Sequence, residues 1–480
     1  MQAWLLSKES HSFAQLYANT RYESHPPLWH LLLMLLSSFT HQPFAIQLLH
    51  ILLSSIAAFL FIRHAPFTLL QKAGMLFGYF FFFEYNLISR SYILTWLLLV
   101  IFCILFSKPR KPYGMLTICL VLLANTHFFS LLLSLPLFAV CMYTCFTDAT
   151  ASRKSWLLPC TIIYLSGVFF SLYWIVPPSN TALWNHSLND FISPGRFSKT
   201  GSVLLKGFYP LLDITSLHFW NSNLLASHFK IIGAAVTAFL ITIPFLLFYN
   251  CASSLFVFYA SLFLLLGSFF FLSLDSGVRY MGYTWMLFLI SCWLSDTDSK
   301  SSGLWKSREV FLEKWRERLY KPFLWSVILC QLGAGVYSYT EDLLHPFSQG
   351  KEVSSWIKKT GDATNLLIVP FENYGPTVSG YLDQPVFYPE RNAFGTFCIW
   401  KAPGDTSQAL LAERISKCMA ATESKNSYVL LSFNPGNYRL MHLVAEKLDP
   451  KTTTLLEVRA FKGSIVPGED YWVCHFEKKQ

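Results

Sequence analysis

The 480-residue sequence predicts a polytopic α-helical membrane protein that ends in a small α/β domain. Three observations predict it. Apolar residues make up 53% of the chain and charged residues only 14%, where a soluble chain carries charge on roughly 25% of its positions. Apolar runs approaching the roughly 20 residues needed to cross a bilayer recur between residues 44 and 340. Beyond them the composition changes: residues 341–480 hold 15 Lys/Arg against 16 Asp/Glu, while residues 1–340 hold 22 against 12. These figures exclude an ordinary cytosolic enzyme, a disordered chain, a coiled coil and a disulfide-stapled secreted domain. Because the positive excess sits in the apolar part, it reads as membrane topology rather than a polyanion surface, and no nucleic acid is expected as a partner.

Residues 1–43 read as a first exoplasmic loop. Within it, 27–38 is apolar but only twelve residues long, too short for a span, so it is expected as an interfacial helix. Residues 44–340 form the membrane domain, with about ten spans expected near 44–62, 66–83, 92–107, 113–126, 128–146, 156–176, 230–250, 251–272, 280–295 and 322–340. Asn125-Thr126-His127 is the polar break inside the 113–146 stretch. The basic loops are Arg63 with Lys72, Lys108-Pro109-Arg110-Lys111, Arg153-Lys154, and residues 300–321 with seven Lys/Arg against three Glu. Two, two and four expected spans separate them, so all four fall on one face, cytosolic by the positive-inside rule. The exoplasmic face then receives residues 84–91, the Asn125 break, the loop 178–229, residues 275–279 and everything after 340. Residues 304–319 put Phe311, Leu312, Trp315 and Leu319 on one stripe among basic residues, the pattern of a cytosolic interfacial helix or of a solvated linker.

Residues 341–480 have the composition of a globular domain. The pattern predicts a helix at 348–359 with Gly361 past its end, a strand at 365–370, and short runs at 385–388 and 395–400. A helix at 407–421 after Asp405 as N-cap, a strand at 428–433, a helix near 438–447 and strands at 453–461 and 471–476 follow. That alternation predicts an exoplasmic α/β domain. Eight of the eleven cysteines lie in or beside spans, where Cys behaves as a small apolar residue. Cys398, Cys418 and Cys474 are in the tail; at most one disulfide can join them, and the sequence does not choose the pair.

A charge near hydrocarbon is costly unless paired or hydrated, so the rare ionisable groups are informative. Between Glu23 and Asp148 the chain has one carboxylate, Glu84, with Arg90 and Tyr92 close behind. Glu84 reads as an active-site acid or metal ligand and Arg90 as a planar fork for phosphate oxygens; the competing reading is an interfacial ion pair. In Arg21-Tyr22-Glu23-Ser24-His25-Pro26-Pro27 the prolines start the interfacial helix and leave Glu23 and His25 in an extended stretch. A carboxylate and an imidazole two residues apart suit a divalent cation or an acceptor, and equally a plain helix start. The same face holds Asn125 with His127, and Asp275 with Arg279. His127 reads as a substrate contact or a hydrogen-bonded helix end, and Arg279 as a second phosphate ligand or the partner of Asp275. No Gly-rich phosphate loop, CxxC pair or HExxH is present in the sequence, so soluble-type nucleotide binding has no support.

His25-Pro26-Pro27-Leu28-Trp29, which follows Ala3-Trp4 and precedes a short apolar helix, resembles the first exoplasmic loop of glycosyltransferases of the C fold. These multi-span enzymes include protein O-mannosyltransferases, the lipid A aminoarabinose transferases and bacterial relatives that take sugar from polyprenyl phosphate. Ser89-Arg90-Ser91-Tyr92 is similar to the Ser-Arg-x-Tyr of their second exoplasmic loop, and the run from Tyr381 to Pro389 resembles a Tyr-Leu-x-x-Pro-x-x-Tyr-Pro run of bacterial members. The motifs cover residues 1–150; beyond that the resemblance is architectural.

The resemblance implies an inverting transfer of sugar from a polyprenyl-phosphate donor to a glycan, lipid or protein acceptor. It implies a bacterial inner membrane, surrounding membrane lipids, and a periplasmic tail. In that family an acidic residue takes the acceptor proton while a divalent metal ion or basic residues hold the departing phosphate. Carried over, the His-Pro-Pro segment is His25 to Pro27, Glu23 lies near the acidic position that Ser24 occupies here, and Glu84 and Arg90 fall in the second loop. With the residues read above, the expected catalytic groups are Glu84 and Glu23, the substrate contacts His25, Arg90, Tyr92, His127 and Arg279, and any metal ligands Glu23 and His25. The sequence departs from the family at its start, Met1-Gln2-Ala3-Trp4, where relatives read Asp-Glu-x-Gln-Ala-Trp after a first span. The expectation is that Met1 is internal to that motif; a catalytically inactive relative is the reading if it is not. A transporter of lipid-linked or small substrates is the alternative from another class, disfavoured by the lack of a repeat and by ionisable groups gathered at one face.

Overall fold

The computed structural model describes residues 1–147, 154–181, 194–272, 277–297, 309–361, 365–402, 406–437 and 439–479. Arg153, Asp275, residues 300–308, Asp405 and Tyr438 lie outside them.

Two short helices open the chain, α1 (Gln2–Lys8) and α2 (Phe13–Thr20), neither marked by a sequence pattern; Ser12 caps α2 by accepting the Gln15 N–H. The helix expected over 27–38 is α3 (Leu28–Ser37), beginning directly after Pro27. The membrane part continues with α4 (Phe44–His64), α5 (Leu69–Leu76), a π-helix (Tyr79–Leu87), α6 (Tyr92–Phe106), α7 (Tyr113–Ala124), α8 (Phe128–Thr147) and α9 (Leu157–Ile175). Then come α10 (Pro194–Phe208), α11 (Leu224–Ser227), α12 (Lys230–Phe248), α13 (Ala252–Leu272), α14 (Val278–Thr297) and α15 (Glu309–Leu344). Six of the described helices, α4, α8, α9, α12, α13 and α15, are long and apolar enough to cross a membrane. The chain is a multi-pass helical membrane protein. Near its centre, α14 is buried on every side from Met281 to Leu294, as an all-round apolar helix must be.

Two expected segments differ. The stretch 66–83 is not one continuous helix: α5, fixed by a Thr68/Gln71 capping box, stops, Gly78 is extended, and the π-helix begins. Here the backbone presses against α15 so closely that a Cβ on Gly335 would overlap the Phe77 carbonyl oxygen. The π winding keeps Glu84 inside a buried helix instead of at the start of a loop. Nor do the described residues of 304–319 form a separate interfacial helix. They are the first turns of the 36-residue α15, which runs through Pro322 without ending, and Phe311 and Trp315 remain exposed there.

The tail adds α16 (Gly350–Thr360), β1 (Leu366–Ile368), α17 (Gly375–Leu382), β2 (Val386–Tyr388), β3 (Ala393–Gly395), α18 (Gln408–Ala421), β4 (Asn426–Leu431), α19 (Arg439–Lys447), β5 (Thr453–Phe461) and β6 (Tyr471–Lys478). Its sheet has the order β3-β2-β1-β4-β6-β5, with β1 parallel to β2 and β4 and the remaining pairs antiparallel. Alternate residues of β1 and β4 face opposite layers: Leu367 and Tyr428 pack with Val353 and Trp356 of α16, Leu366 and Val429 with Leu411 and Ile415 of α18. The expected run 395–400 is not a strand. Only Gly395 stays in the sheet, and Cys398 turns its backbone to Gln2. Cys398, Cys418 and Cys474 are all unpaired.

The α15 contact gives a test with an internal control, because Gly333, one half-turn away, has open space around it. Gly335→Ala is expected to destabilise the protein by about 1–3 kcal/mol through overpacking, whereas Gly333→Ala is neutral or stabilising; thermal melts in detergent compare the two.

Candidate functional site

Glu84 is a buried acid of the membrane part, 1% exposed. The i to i+5 period of the π-helix sets Tyr79 beside it, and the Tyr79 hydroxyl donates to Glu84 Oε1 at 2.8 Å. The same oxygen accepts the Trp220 indole N–H at 2.9 Å, reaching across from the segment between α10 and α11. Trp220 is also the meeting point of the two candidate arginines. The guanidinium carbons of Arg90 and Arg279 lie 5.8 and 5.7 Å from its ring centre. Arg279 further lies 4.7 Å from the Tyr280 ring and donates to its hydroxyl at 3.2 Å. Among the described residues neither guanidinium forms an ion pair with a carboxylate. The interfacial Glu84–Arg90 pair is therefore not the arrangement, and Asp275, the other suggested partner of Arg279, lies outside the described residues. The start of α14 is pinned by the Tyr85 hydroxyl on the Arg279 carbonyl at 2.7 Å and by Asn221 accepting the Val278 N–H at 2.8 Å.

Beside this pair stands an aromatic and imidazole cluster. The His25 and His127 rings are 5.0 Å apart, and His127 lies 5.2 Å from Tyr92 and 5.5 Å from Tyr280. Burial, reinforced by the positive charge of Arg279 and Arg90, pushes His25 down to about 4, so it is neutral at physiological pH.

Glu23 sits apart from these groups, under the tail. Ser24 adopts φ +53°, a left-handed conformation that costs a non-glycine residue energy, and turns the chain between Glu23 and His25. The Gln2 amide donates to Glu23 Oε1 at 2.7 Å and to the Cys398 carbonyl at 2.7 Å, and accepts the Cys398 N–H at 3.0 Å. Burial lifts the Glu23 carboxyl to about 7, against the lowering pull of its bonds to Gln2 and Trp400.

No protein-family model, curated protein or solved structure matches the chain. The site is thus defined by its own chemistry. The structure gathers Glu84, Arg90, Tyr92, His25, His127 and Arg279 at one end of the bundle and leaves Glu23 at the tail junction. The residues do not fit the expected cation: Glu23 faces Gln2 while His25 faces His127, and no three His, Cys, Asp or Glu gather as a metal-binding group among the described residues. Sequence reasoning missed Trp220, Tyr79, Tyr280 and Gln2. Tyr280 is adjacent to Arg279, but Tyr79 is visible only once the π winding is known, and Trp220 carries no local signal.

The raised Glu23 carboxyl has a stability consequence. A folded-state value above the ordinary 4.5 means that its contribution is full below 4.5 and is lost as pH rises through about 7. Denaturation from pH 4.5 to 8 should show the wild type losing about 1–3 kcal/mol relative to Glu23→Gln over that window; parallel curves would reject the assignment.

Proposed function

We propose that this protein is a membrane glycosyltransferase that moves a sugar from a polyprenyl-phosphate donor to an acceptor at the exoplasmic face. The observation that carries the reading is the pair of guanidiniums, Arg90 and Arg279, flanking Trp220 without ion-pair partners among the described residues. Positive charge at the end of an apolar bundle is costly alone and favourable against an anion, and guanidinium is the side chain best shaped for phosphate. The aromatic rings beside it suit the less polar faces of a sugar or prenyl chain.

In the reaction the acceptor oxygen forms a bond to the anomeric carbon, the bond from that carbon to the phosphate oxygen breaks, and the acceptor proton passes to a carboxylate. Glu23, two residues before the His25 that stands against His127, is the base in this reading, and a carboxyl near 7 can take a proton at neutral pH. Glu84 holds the Trp220 indole and so orients the arginines. Arg90 and Arg279 stabilise the charge that develops on the leaving phosphate. The proposed topology has ten crossings: the shorter apolar helices α6 and α7, α5 together with the π-helix, and α14 join the six long helices. The basic loops then face the cytosol, and the tail sits in the periplasm of a bacterial inner membrane.

Release of labelled sugar from prenyl-phosphate sugars by the purified full-length protein tests this reading. Arg90→Gln and Arg279→Gln should each weaken binding of farnesyl phosphate about tenfold or more, the scale of a lost charge-assisted bond. Glu23→Gln should lower turnover by about two to four orders of magnitude with donor affinity kept. Retained phosphate affinity in both arginine variants removes the reading.

A further inference from the structure

Several polar atoms that the fold buries without a partner among the described residues belong to the His127 site and its flank. They include His127 Nε2, His25 Nδ1, Ser24 Oγ and Arg279 Nε. The protonation of His127 follows from its own helix. The Phe129 backbone N–H donates to His127 Nδ1 at 3.3 Å, and an amide N–H can only donate. Nδ1 therefore carries the lone pair, and the neutral ring keeps its proton on Nε2. His127 is only 2% exposed, so that Nε2–H is a buried donor with no acceptor among the described residues. Such groups are normally paired, because leaving one unmade costs the full desolvation of the donor. Arg279 Nε–H is a second donor in the same condition.

We infer that His127 is a neutral ligand-binding residue whose Nε2–H holds a phosphoryl oxygen of the group bound by Arg90 and Arg279, an inference that rests on the phosphate reading above. The chemistry favours phosphate over a sugar hydroxyl. Two of the unpartnered groups, on His127 and Arg279, are obligate donors, and an ionised phosphate offers only acceptors. A hydroxyl must also place its own proton. Position agrees: His127 shares the Tyr280 ring with Arg279, and its own ring is 5.0 Å from His25. The site thus combines two charged forks with one uncharged donor, which adds an oxygen contact without adding repulsion between cations.

The test uses the full-length protein in nanodiscs, titrated with farnesyl phosphate and with inorganic phosphate. His127→Asn keeps a side-chain acceptor for the Phe129 N–H but holds its amide N–H donors short of the Nε2 position, while His127→Gln returns an N–H to that position. His127→Asn is expected to weaken farnesyl phosphate about tenfold, and His127→Gln to recover most of the loss. Thermal midpoints of the same samples establish that the variants are folded. Equal weakening for inorganic phosphate assigns the contact to the phosphoryl group alone; weakening for the lipid ester only assigns it to the lipid-linked phosphate. Both outcomes support the inference. If folded His127→Asn binds as the wild type does, or His127→Gln is no better than His127→Asn, the inference is wrong while the arginine reading stands. If the wild type binds neither probe, the phosphate reading itself fails and takes the inference with it.

Discussion

Two guanidiniums share one indole at the end of an apolar bundle, and the surrounding structure is arranged to hold them there. Like charges at close range repel, and the cost rises as water is withdrawn. Glu84 is buried nearby without an ion pair to either arginine, its Oε1 accepting from both Tyr79 and Trp220. The indole keeps the two cations on its own ring while its N–H fixes the acid. Three separate stretches of chain therefore have to arrive together: the π-helix, the segment before α11 and the first turn of α14. The close packing achieves this, since Gly282 lets Phe80 and Tyr85 lie directly against α14, and Gly335 lets the start of the π-helix lie against α15.

The tail is attached to this assembly by backbone pairing as well as by side chains. Ala402 donates to the Asn180 carbonyl at 2.8 Å, Thr181 bridges Lys401, and Tyr22 donates to the Asn180 side chain at 3.0 Å. Lys8 pairs with Asp383 on the other side of α1. The segment after β3 is thus shared between the sheet domain and the chain start, which explains why its strand-like sequence does not extend the sheet. Its hydrogen bonds are met by Gln2 and by the 178–181 turn instead.

The helices were legible because hydropathy reports them directly: α4, α9, α12 and α13 begin and end within a few residues of the apolar runs, and the Asn125 break separates α7 from α8. The tail was legible for a related reason, since its strands β1, β2 and β4 are buried on both faces and read as short apolar runs between turn residues. What could not be read is what depends on contact between distant segments. Nothing in the sequence around Gly78 distinguishes a continuous span from a break followed by a π-helix, because that choice is made by packing against Gly335, far along the chain. Arg90, Arg279, His25 and His127 stood out because ionisable groups are rare in an apolar sequence. Trp220 did not, since an aromatic residue in a loop of a chain that is 17% aromatic carries no such contrast.

The acidity of Glu23 joins these themes. A carboxylate in an open loop titrates near its ordinary value; this one is lifted because α1, Trp400 and the turn at Ser24 remove it from water, and the two hydrogen bonds it receives only partly counter the loss. Much of that cover belongs to the tail. Docking of the sheet domain and the proton affinity of Glu23 are accordingly one property rather than two: a tail held away from the chain start returns Glu23 to an ordinary, weakly basic carboxylate. The domain has a physical role in the site even though none of its described acids pairs with the arginines, and the strained φ of Ser24 is the local cost of placing Glu23 under that cover while His25 remains against His127.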